Sequence, residues 1–432
     1  MRVAVSLAAL LLLARLALAQ QPPPTLADLQ RAALARDARA AQRDLLRQAT
    51  DLRIRSIRDA LRPQFTVTAS NSHASDVTYL TLRVPGVAVP IPPRDRWSGA
   101  VDVSQVLYDA GGTRRREAVE SARFAESAAS VDASLEPLRA EVTSAFFTAV
   151  LLQSSEQVLA AAVTQLEAVL GETRERVRAG AALGRDSAAV RAEWRNAQAQ
   201  LAQVRASRHA ALTNLQRLTG VAIADTTSLP IPDWSAQLDS IASAGGPATI
   251  RARPEFRQLA RARERLGRER DLAGVENRPR LVAFAEGGYG RPGLNQFKSD
   301  PAGFWQAGVK VEWQPFTWGS AARNEELAVL QQEVLATQER ALADQLARAV
   351  QGDLDHRTRL RAQLAIDDEV IALREEALAQ GEAQRREGVI TAAEAVGLRS
   401  DLTAARLARE RHRVELAQAE AGIVTTLGLT PR

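Results

Sequence analysis

The sequence repeats a series of short motifs in the same order, and this duplication limits the possible folds more than any other feature. Arg178-Ala179-Gly180 recurs 208 positions later as Arg386-Glu387-Gly388, and Leu218-Thr219-Gly220 recurs at the same distance as Thr426-Leu427-Gly428. Two more pairs keep the order: Arg62-Pro63-Gln64-Phe65 with Arg278-Pro279-Arg280-Leu281, and Gln105-Val106-Leu107 with Gln314-Pro315-Phe316. Motifs that recur in order predict a duplicated structural unit.

We therefore predict a first repeat over 20–220, a connection over 221–253 that is rich in Pro and Gly, and a second repeat over 254–432. Each repeat reads as a helix, two strands, a long helix, a turn and a return helix. In the first repeat the helices are expected at 26–61, 113–177 and 186–218, and the strands at 65–83 and 96–108. In the second repeat the helices are expected at 254–277, 320–386 and 394–427.

The long helix of the first repeat has apolar residues at alternating steps of four and three. The stripe comprises Leu138, Val142, Ala145, Ala149 and Leu152, then Leu159, Val163, Leu166 and Leu170. A period near 3.5 residues is typical of coiled-coil packing. No run of apolar residues after residue 20 approaches the length of a membrane-spanning helix, so we expect no transmembrane helix.

The strands alternate between two kinds of side chain. Trp305, Ala307, Val309, Val311 and Trp313 are predicted on one face of a strand, with Gln306, Gly308, Lys310 and Glu312 on the other. A second strand, beginning at Trp97, alternates in the same way. The pattern fits either a soluble sheet packed on helices or a membrane barrel with one lipid side and one water side.

The spacing of the tryptophans favours the barrel. Trp305 and Trp313 would lie about 26 Å apart on an extended strand, close to the apolar band of about 25 Å that aromatic girdles flank in membrane barrels. We therefore predict an aromatic girdle of Trp97, Trp305 and Trp313. Four strands cannot close a membrane barrel alone, since such barrels have at least eight strands, and an open edge is not tolerated in lipid. The chain is therefore expected to oligomerise.

The N-terminus has the pattern of a secretory signal peptide, which we place at 1–19. Arg2 precedes an apolar run over 7–13, and Ala17-Leu18-Ala19 fits the cleavage rule. An uncleaved membrane anchor is the alternative. The sequence contains no Cys, so we expect no lipoprotein anchor.

Composition excludes several classes of function. Without Cys there is no disulfide framework and no thiol nucleophile, and the four His are far apart in sequence. We expect no enzyme activity, no metal and no cofactor. The formal net charge is +5, but Arg and Glu are interspersed, so no nucleic-acid partner is expected. Gly287-Gly288-Tyr289-Gly290 is interpreted as a loop at a strand end, since no helix follows it as in a phosphate-binding loop.

The motifs together resemble the TolC-type outer-membrane efflux family. The resemblance covers about 26–429 and rests on Leu61-Arg62-Pro63, on the run from Val106 to Gly112, on Arg253-Pro254-Glu255, and on the turns at 180–186 and 388–394. It implies an α+β membrane protein with an internal duplication, in which four transmembrane β-strands per chain form a 12-stranded trimeric β-barrel and long coiled-coil helices form a periplasmic α-barrel.

The same resemblance implies a function. The homotrimer would sit among outer-membrane lipid and extend into the periplasm. It would be the passive exit duct of a tripartite efflux or type I secretion system, with a periplasmic adaptor (membrane fusion protein) and an inner-membrane pump as partners. Because the pump would select the cargo, the exported substrate is not predicted. A periplasmic coiled-coil adaptor or scaffold protein is the alternative.

The family resemblance also points to residues. Asp186 and Glu394 lie six positions after Gly180 and Gly388 and would line the channel constriction; a plain alternative is that both cap their helices. Gly180, Arg185, Gly388 and Thr391 are candidates for docking the adaptor, although a tight turn alone would explain the two glycines.

Overall fold

The computed structural model describes residues 22–78, 91–236, 238–239, 249–275, 277–296, 298–316 and 318–429. The predicted signal peptide at 1–19 lies outside the described residues. The described chain divides into two compact units. The helical unit contains the described residues of 1–41, 131–256 and 340–432, and the sheet unit contains those of 42–130 and 257–339.

The elements follow the order expected for each half of the chain. The first half has helices α1 (Leu26–Arg36) and α2 (Gln42–Asp59), strands β1 (Gln64–His73) and β2 (Asp95–Tyr108), and helices α3 (Gly112–Arg178) and α4 (Gly184–Thr219). The second half has α5 (Pro254–Ala273), β3 (Arg280–Arg291), β4 (Ala302–Glu312), α6 (Ser320–Arg386) and α7 (Ala392–Thr426). Helices α3 and α6 are each 67 residues long, and α4 and α7 have 36 and 35 residues. The duplication and the predicted domain boundaries remain predictions.

The sheet unit is built on one antiparallel sheet with the order β1-β2-β3-β4. Its register places residues of like character in rows across the strands. One row runs from Val67 through Val101 and Gly287 to Trp305. The neighbouring row runs from Thr66 through Asp102 and Glu286 to Gln306. Because successive side chains of a strand point to opposite faces, one face of the sheet is mainly apolar and the other mainly polar.

The apolar face is exposed in the single chain. Val67 and Trp305 are each 78% exposed, and Val309 and Val311 are 60% and 66% exposed. An antiparallel sheet of a soluble protein buries its apolar face against a core. The soluble-sheet alternative would require helices over this face, and the exposures show that none of the described helices covers these four residues.

The glycine-rich run at 287–290 was interpreted from the sequence as a loop, and this is wrong because it lies within β3. The glycines are needed there for close packing. A Cβ at Gly288 would come within 2.7 Å of Cζ of Phe304 and 2.6 Å of the carbonyl oxygen of Gly99. Gly308 on β4 lies under the ring of Phe284 in a similar way. Glycine in a strand commonly marks such a close approach.

The helical unit has a well-packed apolar core. Phe146, Phe147 and Val150 of α3 are almost fully buried, together with Leu215 of α4 and Ile423 of α7. The rings of Phe146 and Phe147 meet edge to face at 5.3 Å, and Trp234 of the connection lies 6.5 Å from Phe147. The predicted apolar stripe of α3 is largely buried: Leu138, Val142, Ala145, Ala149, Leu159, Leu166 and Leu170 are all at most 9% exposed.

Several boundaries differ from the prediction, and helix α5, for example, ends at Ala273 instead of 277. The helix expected over 26–61 is interrupted at Asp37, whose carboxylate accepts hydrogen bonds from the backbone N–H and the guanidinium of Arg39, both at 2.8 Å. Such local capture of the backbone competes with helix formation. Strand β1 ends at His73, and the part expected at 79–83 lies outside the described residues. Trp313 lies beyond the last residue of β4 and is therefore not part of its apolar face.

The expectation that no helix could span a membrane also needs a correction. Among the described helices, α3 contains an 18-residue window long and apolar enough by composition, and 44% of that window is buried. The sequence prediction required an uninterrupted run of apolar residues. A mean hydropathy over 18 residues can be high even when a few polar residues interrupt the apolar ones. One such helix is weak evidence of a membrane span, because the core helix of a protein can pass the same test.

Candidate functional site at the hairpin turns

The two long helices end in the same way. Gly180 has a φ of 74°, and the N–H of Ala181 donates to the carbonyl of Arg176 at 2.8 Å. Gly388 has a φ of 79°, and the N–H of Val389 donates to the carbonyl of Gln384 at 2.8 Å. Both are Schellman motifs, in which a left-handed residue closes the helix. A Cβ on either glycine would meet no atom within 4 Å, so the backbone conformation rather than crowding favours glycine.

The two predicted acids lie at the starts of the return helices. The carboxylate of Glu394 accepts from the N–H of Thr391 at 2.8 Å and from its hydroxyl at 3.0 Å, while the N–H of Glu394 donates to that hydroxyl at 3.2 Å. This is a complete capping box. Asp186 makes only half of one, since its carboxylate accepts from the N–H of Leu183 at 3.2 Å and leucine has no acceptor to offer in return.

Both acids therefore cap their own helices. Glu394 is exposed, and the hydrogen bonds from the backbone and side chain of Thr391 lower the pKa of its carboxyl below the ordinary value. A capping bond leaves further lone pairs of each carboxylate available. The role of Asp186 and Glu394 in a channel constriction stays a prediction.

The structure brings the two hairpin turns together. A cavity of about 230 Å³ lies between them, lined among others by Thr173, Arg176, Asp186, Arg385, Gly388 and Thr391. Three of the predicted site residues thus share one cavity. Gly180, Arg185 and Glu394 lie on the exposed surface of the same turns and do not line the cavity.

Two arginines that the sequence reasoning missed connect the turns. Arg385 of α6 is buried, and its Nη2 donates to both carboxylate oxygens of Glu172 on α3 at 2.9 and 3.0 Å. Arg176 of α3 donates in turn to the carbonyl of Arg385 at 3.3 Å. Nothing in the sequence pattern separates these two from the many other arginines of the helices, because their partners come from the other half of the chain.

An apolar cluster lies next to the turns. It comprises Leu166 and Leu170 of α3, Val190 and Ala197 of α4, and Ala392 and Val396 of α7. Trp194 packs against it, and the guanidinium of Arg195 lies 4.7 Å above the indole ring. This packing holds the starts of α4 and α7 side by side. Two apolar side chains of the turns remain exposed, Leu183 at 57% and Val389 at 68%.

The three predicted girdle residues lie at different heights on the sheet. Trp97 pairs with Arg291 near one end of the sheet, and its ring lies 5.8 Å from that of Tyr289. Trp313 follows the opposite end of the sheet, where its indole N–H donates to the carbonyl of Asn277 at 2.9 Å. Trp305 pairs with Gly287 and lies nearer to the Trp97 end. Phe316 and Trp318, which were not predicted, are exposed beyond Trp313.

The chain is similar to known outer-membrane channels. Residues 15–221 match the family model described as outer membrane efflux protein. A structure of CusC, whose description refers to transmembrane channel formation, matches with a TM-score of 0.67 at 16% identity, over 94% of this chain and 92% of CusC. The outer membrane protein VceC of Vibrio cholerae matches with a TM-score of 0.65 at 13% identity, over 94% of this chain and 97% of VceC.

The open state of the MtrE outer membrane channel of Neisseria gonorrhoeae matches with a TM-score of 0.64 at 19% identity, over 95% of this chain and 90% of MtrE. A sequence search of curated proteins finds no match. At these identities the structural matches establish the fold. Together with the family match they confirm the predicted resemblance and the predicted outer-membrane location.

Proposed function

Since the chain matches the outer membrane efflux proteins in sequence over 15–221 and in fold over most of its length, we propose that it forms a homotrimeric exit duct. The duct would conduct its cargo passively across the outer membrane and periplasm. A periplasmic adaptor and an inner-membrane pump would supply the energy and the choice of cargo. We assign the chain no catalytic role.

The observation that carries the proposal is the exposed apolar face of the four-stranded sheet. The apolar residues Val67, Val101, Trp305 and Val309 lie on neighbouring strands of this face, and each is exposed in the part of the chain that the structure describes. In water an exposed apolar face of this kind favours aggregation, whereas in a membrane an apolar face is what contact with lipid requires. The opposite face has Thr66, Asp102, Glu286, Gln306 and Lys310, which suit a water-filled interior.

The open edges of the sheet support the trimer. Strands β1 and β4 each pair on one side only, so each has an unpaired edge. Unpaired backbone groups are not tolerated in lipid, and a ring in which β1 of one copy pairs with β4 of the next satisfies every edge. Two copies would give eight strands, whose interior side chains fill the barrel, whereas three copies give twelve and leave room for passage.

The hairpin turns are the proposed periplasmic mouth. In a trimer, Asp186 and Glu394 would contribute six carboxylates to one ring, which concentrates cations and repels anions. The exposed parts of the turns at Gly180, Arg185, Gly388 and Thr391 would receive the adaptor. The exposed side chains of Leu183 and Val389 support this, because they offer apolar contact beside the polar groups.

Disulfide cross-linking between copies tests the proposal. The natural chain has no Cys, so every disulfide in a variant comes from the introduced residues. Thr68 on β1 and Gln306 on β4 can be changed to Cys together, with neighbouring pairs such as Ser70 and Phe304 covering other registers. A closed ring predicts a covalent product of three chains for at least one pair.

As a control, Cys at Thr68 and Ala100 should link β1 to β2 within one chain, since these residues pair directly. If no β1–β4 pair gives a product larger than a dimer, the trimeric duct is wrong.

A further inference from the structure

The sheet unit has a cavity that the duct does not explain. It has a volume of about 300 Å³ and lies where β2 and β3 approach α3 and α5. Three arginines line it: Arg116 of α3, Arg278 in the turn before β3, and Arg280 at the start of β3. Its other walls include Leu61, Val106, Leu272 and Val275. This volume is at the lower end of the range for small-ligand sites.

Among the described residues that line this cavity, positive charge exceeds negative charge. Among the described residues that line it, Asp109 is the one carboxylate beside the three guanidinium groups. Its Oδ1 accepts from the N–H of Gly111 at 3.0 Å and its Oδ2 from the N–H of Thr113 at 2.5 Å, so it already caps the start of α3. Burial raises the pKa of Asp109, but these hydrogen bonds and the charge of Arg116 outweigh it and lower the pKa. Asp109 therefore stays ionised and offsets one of the three positive charges.

The arginines of the cavity have few partners of their own. Within the described part of the chain, the side chains of Arg116 and Arg278 make no hydrogen bond or ion pair, and Nη2 of Arg280 is 3.8 Å from Glu312. Two other arginines of the sheet unit are paired with acids: Arg58 donates to Glu117 at 2.8 and 2.9 Å, and Arg53 to Glu120 at 2.9 Å. Two guanidinium groups without a side-chain hydrogen bond or ion pair among the described residues thus line this one cavity.

We propose that this cavity binds a phosphate group. Guanidinium groups present planar pairs of N–H donors that match phosphate oxygens. A phosphate dianion would neutralise the excess positive charge that remains after the carboxylate of Asp109 has offset one guanidinium group. The site depends on the sheet unit alone and does not rest on the trimeric duct.

Phosphate could come from two sources. One is free phosphate or a phosphorylated solute, and the other is the headgroup of a phospholipid. Trp313, which suits a membrane–water interface, is hydrogen-bonded to the carbonyl of Asn277, the residue before Arg278. Both sources present the same chemical group to the arginines.

The test is a calorimetric titration of inorganic phosphate into the whole purified protein in maltoside micelles, which contain no phosphate. We expect one phosphate per chain in the wild type. The double variant Arg116→Gln with Arg278→Gln should bind at least tenfold more weakly. The control Arg268→Gln removes an exposed arginine on α5 that does not line the cavity and should bind like the wild type. Because Arg116 and Arg278 are exposed, these variants are expected to fold, which far-UV circular dichroism checks.

A second titration, in phospholipid nanodiscs, separates the two sources. If phosphate binding persists there, the site takes a free phosphate. If binding disappears in nanodiscs but not in micelles, a lipid headgroup already occupies the cavity. The proposal is overturned if the wild type binds no phosphate in micelles at millimolar concentration, or if the double variant binds as well as the wild type.

Discussion

Nε of Arg357 on α6 donates to Oε1 of Glu420 on α7 at 2.7 Å, and both side chains are more than nine-tenths buried. Nη2 of Arg357 also lies 2.9 Å from Asp239 of the connection. One arginine thus joins two helices and the connecting segment. These ion pairs raise the pKa of the Arg357 guanidinium despite its burial, so the group stays charged and depends on its partners.

Removing one partner of this pair should therefore be costly. Changing Glu420→Gln leaves a buried guanidinium with a neutral partner, and loss of a buried ion-pair partner typically destabilises by about 3–5 kcal/mol. The remaining contact with Asp239 places the expected effect near the lower end. The control Asp368→Asn removes an exposed pair with Arg409, where less than about 1 kcal/mol is expected. Thermal unfolding followed at 222 nm compares the two, and equal shifts would contradict the role of the buried pair.

Packing within the sheet gives a second prediction. Gly288→Ala places a Cβ within 2.7 Å of the ring of Phe304 and 2.6 Å of the Gly99 carbonyl oxygen. Overpacking of this kind typically costs about 1–3 kcal/mol, so the variant should give less folded protein after refolding in detergent. Gly303→Ala is the matched control, since its nearest contacts would be 3.9 Å away. Heat-modifiable gel mobility measures the folded fraction, and an equal yield for both variants would contradict overpacking at Gly288.

The sequence predicted the helices and strands better than it predicted the side-chain contacts between them. The ends of α3, α4, α6 and α7 were placed within two residues because glycine turns and capping acids mark them. The break at Asp37 was missed because helical periodicity continues through it, and only the local bonds to Arg39 end α1. The glycines of β3 were interpreted as a loop because their role in the strand depends on a contact with another strand. That contact is the close approach of the Phe304 ring to Gly288. At the turns, the capping acids were found, whereas Arg385 depends on Glu172 from the other half of the chain.

The break at Asp37 gives a pH prediction. Hydrogen bonds from the side chain and backbone of Arg39 lower the pKa of Asp37 to about 2. Because the folded pKa lies below the ordinary value, the contribution to stability is present above the unfolded pKa, near 4, and is lost as pH falls from about 4 to about 2. Asp37→Asn should therefore be less stable than the wild type at pH 6, and the difference should shrink towards pH 2. Chemical unfolding at a series of pH values checks this, and a difference that does not change with pH would contradict it.

Charge at the proposed mouth gives an electrical prediction. If Asp186 and Glu394 line the constriction, Asp186→Asn with Glu394→Gln should lower the preference for cations in planar bilayers. The control Asp368→Asn with Asp401→Asn removes the same number of carboxylates from exposed ion pairs further along the hairpin and should leave the selectivity unchanged. The reversal potential in a salt gradient measures the preference. An unchanged potential in the first variant would leave both acids with helix capping as their only role.

The central claim is that three copies of this chain close one barrel in the outer membrane. The most direct test is the mass of the particle extracted by detergent from purified outer membranes, measured by native mass spectrometry after removal of the detergent. The account predicts a particle of three chains, recovered in that membrane fraction. A soluble periplasmic monomer or dimer would contradict it and would mean that another layer of protein covers the apolar face around Val67 and Trp305.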